Sequence, residues 1–583
     1  MISANGIARM MRSAVSRLLG ASFAGLCLCL GLTALANPAQ AQASNKDIVV
    51  KGQAGKEQDN PKSTWKRAEA DHVVVFSTGS DDELKRVTRN LELLHRLMAR
   101  LYLHGAEPGE VMKLQVVLMD SQDRMEALGL RDLRSQQGPF PAPFASRSYY
   151  DPRENGEVLV IPRSEQMIDL NTSRRFSSDC EDRGAQEDGG DGMCGNIPRH
   201  PPIARPWEGL LSAAFAQHFL LTYLPAAYPR WYLDGMGELF STLDVKHSGE
   251  FDYAVPPEGF KDVFKSYGYP KVAEILTGHY LQDPDAAQGW NPYGAWLVTY
   301  YFVFSKPKPE RYAQFEHYMA DIRRGVPQAD AAAVFGDMQA LQREIQSCGN
   351  RDIAYAHAEA QQPPVAEPLV TALSPAAGAL LEAKIEQDSR LATGGSTEGW
   401  LLRVRDMAAQ FPGDADVQLF AAAAECRGGQ TDECLAGAER VLAKAPDDAE
   451  ALTWKGVALT DRAMAGAEAD RLERLATARG ALVRAIALDD QATEPRIAYF
   501  LSFTKAGQPV PQGAMRGMVE AIRRVPAAPG PRLALGRELV REGQAEMARQ
   551  VLNPVLFGAY DSPERSAARN LLSLADGSAT IRR

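Results

Sequence analysis

The chain has 583 residues, of which 24% are charged, and its formal net charge is −10 at pH 7. An acidic chain without a basic, aromatic-rich patch is a poor candidate for nucleic-acid binding, and this length predicts more than one domain. Residues 1–43 are typical of a bacterial signal peptide, because a start with three arginines precedes an apolar run and small-residue cleavage sites. We therefore expect export to the periplasm. A retained N-terminal anchor is the alternative, and no later stretch predicts a membrane span.

Beyond a polar, flexible leader at 44–62, the sequence predicts a mixed α and β domain at 63–350. Apolar, β-branched runs predict strands at His72–Ser77 and Leu114–Met119. Apolar residues at helical spacing predict a helix from Asp81 to Leu103. The further predicted elements are a short helix at 124–128, a hairpin formed by 146–151 and 157–161, and a series of helices from 206 to about 348.

An acidic, glycine-rich loop is predicted at 172–206, between the hairpin and the helices. Its carboxylates are compatible with a calcium site, but EF-hand spacing is missing, so a solvated insertion is the simpler interpretation. An exported protein meets an oxidising compartment, where cysteines that are close in sequence are candidate disulfides. The candidate pairs are Cys180–Cys194 across this loop and Cys426–Cys434 across a predicted helical hairpin, with Cys348 left over.

A linker rich in proline and alanine is predicted at 351–378, and the composition changes after it. Within 379–583, the cluster Pro412-Gly-Asp-Ala recurs as Pro446-Asp-Asp-Ala, 34 residues later, which is the period of the tetratricopeptide repeat. Each cluster is expected to end one helix pair and to cap the next helix. Broader copies around 481–488 and 531–552 predict an array of about three to five units; an unrelated helical bundle is the alternative.

The stretch Gly209–Thr242 has the outline of a zinc-peptidase core, in which two helices are joined by a short turn. Zinc hydrolysis needs two histidines one helical turn apart, a glutamate beside the first as general base, and a third ligand from another element. The metal lowers the pKa of its bound water to near neutral and so generates hydroxide. On this stretch, on the segment Tyr293–Tyr301 and on the preceding order of strands and helices, the region 65–345 resembles the peptidase-MA-like domains, exported relatives of thermolysin-type gluzincins.

This resemblance implies a fold and at the same time argues against the activity. In the family the first helix carries His-Glu-x-x-His, and the second begins with a ligand glutamate. The first ligand falls on Ala213, the general base on Ala214, the second ligand on Gln217, the third ligand on Asp234, and an acid that supports a ligand on Glu238. Because alanine has no donor atom and an amide is a poor zinc ligand, the sequence predicts no metal cofactor.

A rearranged zinc site is the alternative, with candidate ligands His218, Asp234, Glu238 and His247, which are close in sequence. On a helix, however, His218 points about 100° away from position 217, so packing or a local hydrogen bond is its simpler role. Asp234 and Glu238 lie one turn apart near a helix start. Their simpler role is to supply charge there and to bond a nearby arginine.

These observations predict an α+β, zincin-like N-terminal domain, made of a small sheet and helices, followed by an all-α solenoid of the tetratricopeptide type. The predicted function is that of an exported binding or scaffold protein. In it, a catalytically inactive peptidase-like domain is joined to repeats that contact a protein or peptide partner. Two alternatives stay open: an active metal-dependent peptidase with a rearranged site, and a structural envelope protein without a specific partner.

Overall fold

A computed structural model describes most of the chain. The described residues are 63–103, 111–128, 130, 148–163, 168–169, 203–246, 248–283, 285–287, 289–360, 363–392, 398–556 and 562–581. The predicted signal peptide, most of the acidic loop with Cys180 and Cys194, and His247 lie outside these ranges.

A six-stranded mixed sheet organises the N-terminal domain. The strands of the described residues are β1 (Lys66–Glu69), β2 (Val73–Ser77), β3 (Leu114–Met119), β4 (Tyr149–Arg153), β5 (Gly156–Pro162), β6 (Ile168–Asp169), β7 (Ala204–Arg205), β8 (Asp244–Val245), β9 (Phe251–Tyr253), β10 (Ala356–Ala358) and β11 (Val370–Ala372). The main sheet has the order β11-β1-β2-β3-β5-β4, in which β2, β3 and β5 are parallel to one another and the outer strands pair antiparallel. The predicted hairpin is confirmed as β4–β5.

Ten helices of the described residues belong to this domain. They are α1 (Asp81–Tyr102), α2 (Gln122–Ala127), α3 (Trp207–Tyr223), α4 (Arg230–Ser241), α5 (Phe260–Tyr267), α6 (Val272–Thr277), α7 (Pro292–Val303), α8 (Pro309–Arg323), α9 (Gln328–Ala331) and α10 (Met338–Asn350). The predicted helix α1 begins where Ser80 accepts a hydrogen bond from the backbone N–H of Glu83, and an acidic first turn favours the same end.

Helices cover both faces of the main sheet. Along β2, Val73 and Val75 face the core that contains α1 and α3, whereas Val74 and Phe76 face a second core. A further helix, α11 (Pro375–Ala392), fills that second core with Leu381. Because both faces are covered, the central strands are continuous runs of buried residues instead of alternating polar and apolar ones.

The segment 351–378, predicted as a linker, is instead part of the folded domain. Strand β11 pairs with β1 at the edge of the main sheet, with Lys66 opposite Ala372, and α11 begins at Pro375. The indole N–H of Trp65 donates to Glu382 of α11 across 3.0 Å. Prolines fit beside an edge strand and in the first turn of a helix, so the proline content of this segment does not make it an irregular connection.

Paired helices form the C-terminal region. After α11 they are α12 (Glu398–Gln410), α13 (Ala415–Arg427), α14 (Thr431–Lys444), α15 (Ala449–Ala465), α16 (Arg471–Leu488), α17 (Glu494–Thr504), α18 (Gln512–Arg524), α19 (Pro529–Arg541), α20 (Ala545–Leu556) and α21 (Pro563–Ile581). Each helix packs against the next, and the odd-numbered helices α11 to α21 also contact one another in sequence. We call these odd-numbered helices the first-helix row. This is a tetratricopeptide-like array.

The recurring proline and aspartate clusters cap helices as predicted. Asp414 accepts a hydrogen bond from the Val417 N–H at 3.0 Å, and Asp448 accepts one from the Ala451 N–H at 2.8 Å. The segment 464–474 lies between and within the ends of α15 and α16, which are 17 and 18 residues long and remain packed together. Within the described ranges, no helix is both long and apolar enough to cross a membrane.

Candidate functional site

The candidate site lies where α3 and α4 pack side by side. Both helices begin after a proline in extended conformation, Pro206 and Pro229. The helices approach closely at Gly237, where a Cβ atom would stand 3.0 Å from Nε2 of Gln217 and 3.1 Å from the carbonyl oxygen of Ala213. A glycine at this position therefore allows α4 to lie directly on the part of α3 that carries the expected ligand positions.

The expected ligand positions on α3 are buried in this contact. Ala213 and Ala214 are each 5% exposed, and Gln217 is 6% exposed. The side-chain amide of Gln217 donates to the carbonyl oxygen of Leu233 on α4 at 3.2 Å. These three positions thus supply two methyl groups and an amide donor that is already bonded to the neighbouring helix.

Asp234 and Glu238 lie one turn apart on α4, and each is paired with an arginine. Asp234 Oδ2 lies 3.3 Å from Nε of Arg230, one turn earlier on the same helix. Glu238 Oε2 lies 3.1 Å from Nη2 of Arg205, which comes from β7. Burial raises the pKa of Glu238; Arg205 opposes this shift and Asp234 adds to it. Each carboxylate thus bonds an arginine, as expected from the sequence, but only the partner of Asp234 lies nearby on the same helix.

His218 belongs to a different polar cluster, which joins α3 to the main sheet. Its Nδ1 lies 2.5 Å from Oε2 of Glu157 on β5, and both side chains are 3% exposed. The hydroxyl of Thr222 donates to Glu157 at 2.7 Å, and that of Tyr150 donates to it at 2.6 Å. Glu157 thus bonds three side chains, and the structure places His218 against this strand.

The structure brings together only part of the alternative ligand set. Asp234 and Glu238 share α4, His218 bonds Glu157, and His247 lies outside the described residues. In the part of the chain that the structure describes, no group of three or more histidine, cysteine, aspartate or glutamate side chains is placed to hold a metal ion.

Cys426 and Cys434 are joined by a disulfide that links the end of α13 to α14. This is the local pairing considered from the sequence. Cys348 is a free thiol of intermediate exposure, and burial raises its pKa.

Two buried pairs of side chains near the candidate site were not predicted from the sequence. The partner of Glu238 is Arg205, at the end of a segment that resembled a solvated loop, and the partner of His218 is Glu157, 61 residues earlier. The sequence contained one indication of the second pair. Glu157 lies inside the apolar run 156–161, and a carboxylate on a buried strand requires hydrogen-bond partners.

No known protein family matches the chain, and no curated protein matches it in sequence. Among solved structures, the chain is similar to TTC0263, a thermophilic TPR protein of Thermus thermophilus, with 15% identity over 33% of this chain and 94% of that chain and a TM-score of 0.28. It is also similar to yeast Tom70, with 11% identity over 64% of this chain and 70% of that chain and a TM-score of 0.26. Because both scores are low, the repeat architecture rests on the 34-residue recurrence, the aspartate caps and the order of helix contacts.

Proposed function

We propose that the protein is an exported scaffold, in which a sheet domain that resembles zinc peptidases but does not hydrolyse peptides carries a repeat array that holds a protein partner. The main support is the contact between α3 and α4. Ala213 and Ala214 stand where the first ligand and the general base would be, and Gln217 donates to a backbone carbonyl instead of facing a metal.

The residues of the site do not fit zinc. A zinc site needs three or four nitrogen, sulfur or carboxylate donors that converge on one point. Asp234 and Glu238 are carboxylates of α4, the helix that packs on α3, and each already balances the charge of an arginine. Binding a metal there would require breaking both buried ion pairs, which is costly because each arginine would be left buried without its partner.

The disulfide Cys426–Cys434 supports the exported location. Structural disulfides form and persist in oxidising compartments such as the bacterial periplasm and are rare in the cytosol. The location itself rests on the targeting character of residues 1–43.

The repeat array supports the binding role. Stacked helix pairs form an extended surface that commonly receives a peptide or a partner helix. In this chain the first-helix row carries partly exposed charged residues, among them Glu450. We therefore propose that the partner binds through this row.

The first test is the metal content of the purified mature protein after dialysis against zinc. We expect less than about a tenth of an equivalent of zinc, because metal binding needs a convergent, deprotonated ligand set. About one equivalent, lost on Asp234→Ala, would overturn the proposal and assign a rearranged metal site.

The second test is capture of the partner by the full-length protein in cross-linked envelope extracts. Glu450→Lys changes the charge of the first-helix row. Glu433→Lys makes the same change on α14, where the side chain is exposed, and serves as the matched control. We expect one protein to be captured by the wild type and by the control but lost with Glu450→Lys. Capture of nothing above background would favour a purely structural protein.

A further inference from the structure

The turn of the β4–β5 hairpin reaches from the sheet domain to the first-helix row. The hydroxyl of Thr493, directly before α17, donates to the backbone carbonyl of Glu154 in this turn. The guanidinium of Arg153 donates to the carbonyl oxygens of Lys384 and Ile385 on α11, at 2.7 and 3.4 Å. The turn is therefore bonded to two helices of the row by groups that recognise backbone atoms.

A backbone hydrogen bond joins the sheet domain to the array at a second place, just before β3. The N–H of Met112, two residues before β3, donates to the carbonyl of Arg524 at the end of α18, at 3.0 Å. The Glu154 side chain reaches the start of α19, where a Cβ atom on Gly530 would collide with its carboxylate. The sheet domain thus touches the array at three separate helices far along the chain from α11.

Several carboxylates lie close together at this interface, around Glu494. Glu494 Oε1 lies 3.4 Å from Nη2 of Arg427, the last residue of α13, and the guanidinium of Arg427 stacks 4.8 Å above the ring of Trp454. The charged groups that act on Glu494 are Arg427 from α13, Glu450 from α15, Glu154 from the hairpin and Lys384 from α11. Glu494 is therefore influenced by two cations, Arg427 and Lys384, and by two further carboxylates, Glu450 and Glu154.

We propose that the hairpin turn is a proton-controlled latch, which holds the sheet domain on the later helices of the array, α17 to α19, in acid and releases it from them as the carboxylates of Glu154 and Glu494 ionise. The proposal rests on the proposed function, because release would uncover the surface where the partner is expected to bind. Ionisation of both groups brings two negative charges together, with Arg427 as the cation that acts on both of them, and like charges in a poorly solvated place repel strongly.

The direction of the pKa shifts agrees with this geometry. Burial raises the pKa of Glu494 to about 7, with Arg427 opposing the shift and Glu450 and Glu154 adding to it. Burial also raises the pKa of Glu154, again opposed by Arg427. A carboxyl whose pKa is raised by the contact binds its proton more tightly when the latch is closed. Closure is therefore favoured at low pH and weakens as the pH rises from about 4.5 through 7.

The experiment is hydrogen exchange of the full-length protein, followed by mass spectrometry at pH 5.5 and 7.5 and corrected for intrinsic exchange rates. The amide of Met112 is the reporter, because its hydrogen bond crosses the interface. We expect its protection to be lower at pH 7.5 than at pH 5.5, because the ionised carboxylates of Glu154 and Glu494 repel each other in the closed interface.

Three variants test the cause. Glu494→Gln should keep the amide protected at both pH values, Thr493→Ala should lower its protection at both, and the exposed control Glu439→Gln should behave like the wild type. Equal protection of the wild type at the two pH values, or an unchanged pH effect in Glu494→Gln, would overturn the latch. Because no partner is present, this result is independent of whether the array binds one.

Discussion

A substitution at Gly235, next to Asp234 on α4, tests how closely α4 packs against α7 behind the candidate site. A Cβ atom built at this position would stand 2.6 Å from the carbonyl oxygen of Ala295 and 2.7 Å from Cβ of Thr299, both on α7, and closer still to the Thr299 hydroxyl. Thr299 and Ala295 are fully buried, so neither side chain has free space to move into. Gly235→Ala therefore forces α4 away from α7.

The magnitude follows from two opposing effects. Alanine in place of glycine inside a helix gains about 1 kcal/mol through its higher helix propensity. Overpacking of a close helix contact costs roughly 1–3 kcal/mol, and more where backbone atoms must separate. Since one of the colliding atoms at Gly235 is a backbone oxygen, we expect a net loss of about 2 kcal/mol in local stability.

Gly480 on α16 is the matched control, because a Cβ atom there would meet nothing within 4 Å. Gly480→Ala should gain about 0.5–1 kcal/mol. The assay is hydrogen exchange in graded urea, analysed helix by helix, since a chain with several folded parts does not unfold in a single step. Unchanged or increased protection of α4 and α7 in Gly235→Ala would refute the close packing.

Four further predictions concern the buried charges, the disulfide and the caps. Arg205→Met leaves the carboxylate of Glu238, which is 4% exposed, without its cation. We expect the free energy of unfolding in urea to fall by about 3–5 kcal/mol. The double variant Arg205→Met/Glu238→Leu should recover most of this loss. Burial raises the pKa of Glu238, so the contribution of this side chain to stability is most favourable at acid pH and declines as the pH rises above the usual pKa of a glutamate. Glu238→Gln should remove this part of the pH dependence of the melting temperature between pH 4.5 and 7.5. Replacement of Cys426 and Cys434 by alanine should cost about 2.5 kcal/mol in thermal unfolding of the repeats, because the disulfide closes a short loop; under oxidising conditions Cys348→Ala should melt like the wild type. Asp448→Ala should cost about 1 kcal/mol and Asp448→Asn much less, since asparagine can still accept the hydrogen bond from the Ala451 N–H; equal losses in the two variants would contradict the capping role.

Local patterns carried most of what the sequence predicted correctly. The apolar runs at β2 and β3, the turn between β4 and β5 and the aspartate caps of α13 and α15 each depend on residues within a few positions of one another. The helix pair α17–α18 was not identified, because Thr493 before α17 forms no side-chain cap and the proline and aspartate cluster does not recur there.

Contacts between distant parts of the chain could not be predicted from the sequence. The sequence shows that Ala213, Ala214 and Gln217 are unsuitable as zinc ligands. It does not show that these side chains are buried under α4. The pairing of Glu238 with Arg205 joins an expected loop to a helix, and the bond between Thr493 and Glu154 spans 339 residues. Neither leaves a periodic pattern, since a single ion pair or turn contact places no constraint on its sequence neighbours.

Helix α11 has a consequence for how the array ends. Its neighbouring residues Leu380 and Leu381 enter different cores, the first with Trp400 of α12 and the second with the strands of the main sheet. Solenoids expose an apolar end to further stacking unless a polar terminal unit shields it. Here the sheet domain is that shield, so head-to-tail polymerisation of the repeats is blocked at this end. A fragment that begins at residue 379 would lose the first turn of α11 and would expose an apolar surface to which a second copy could bind.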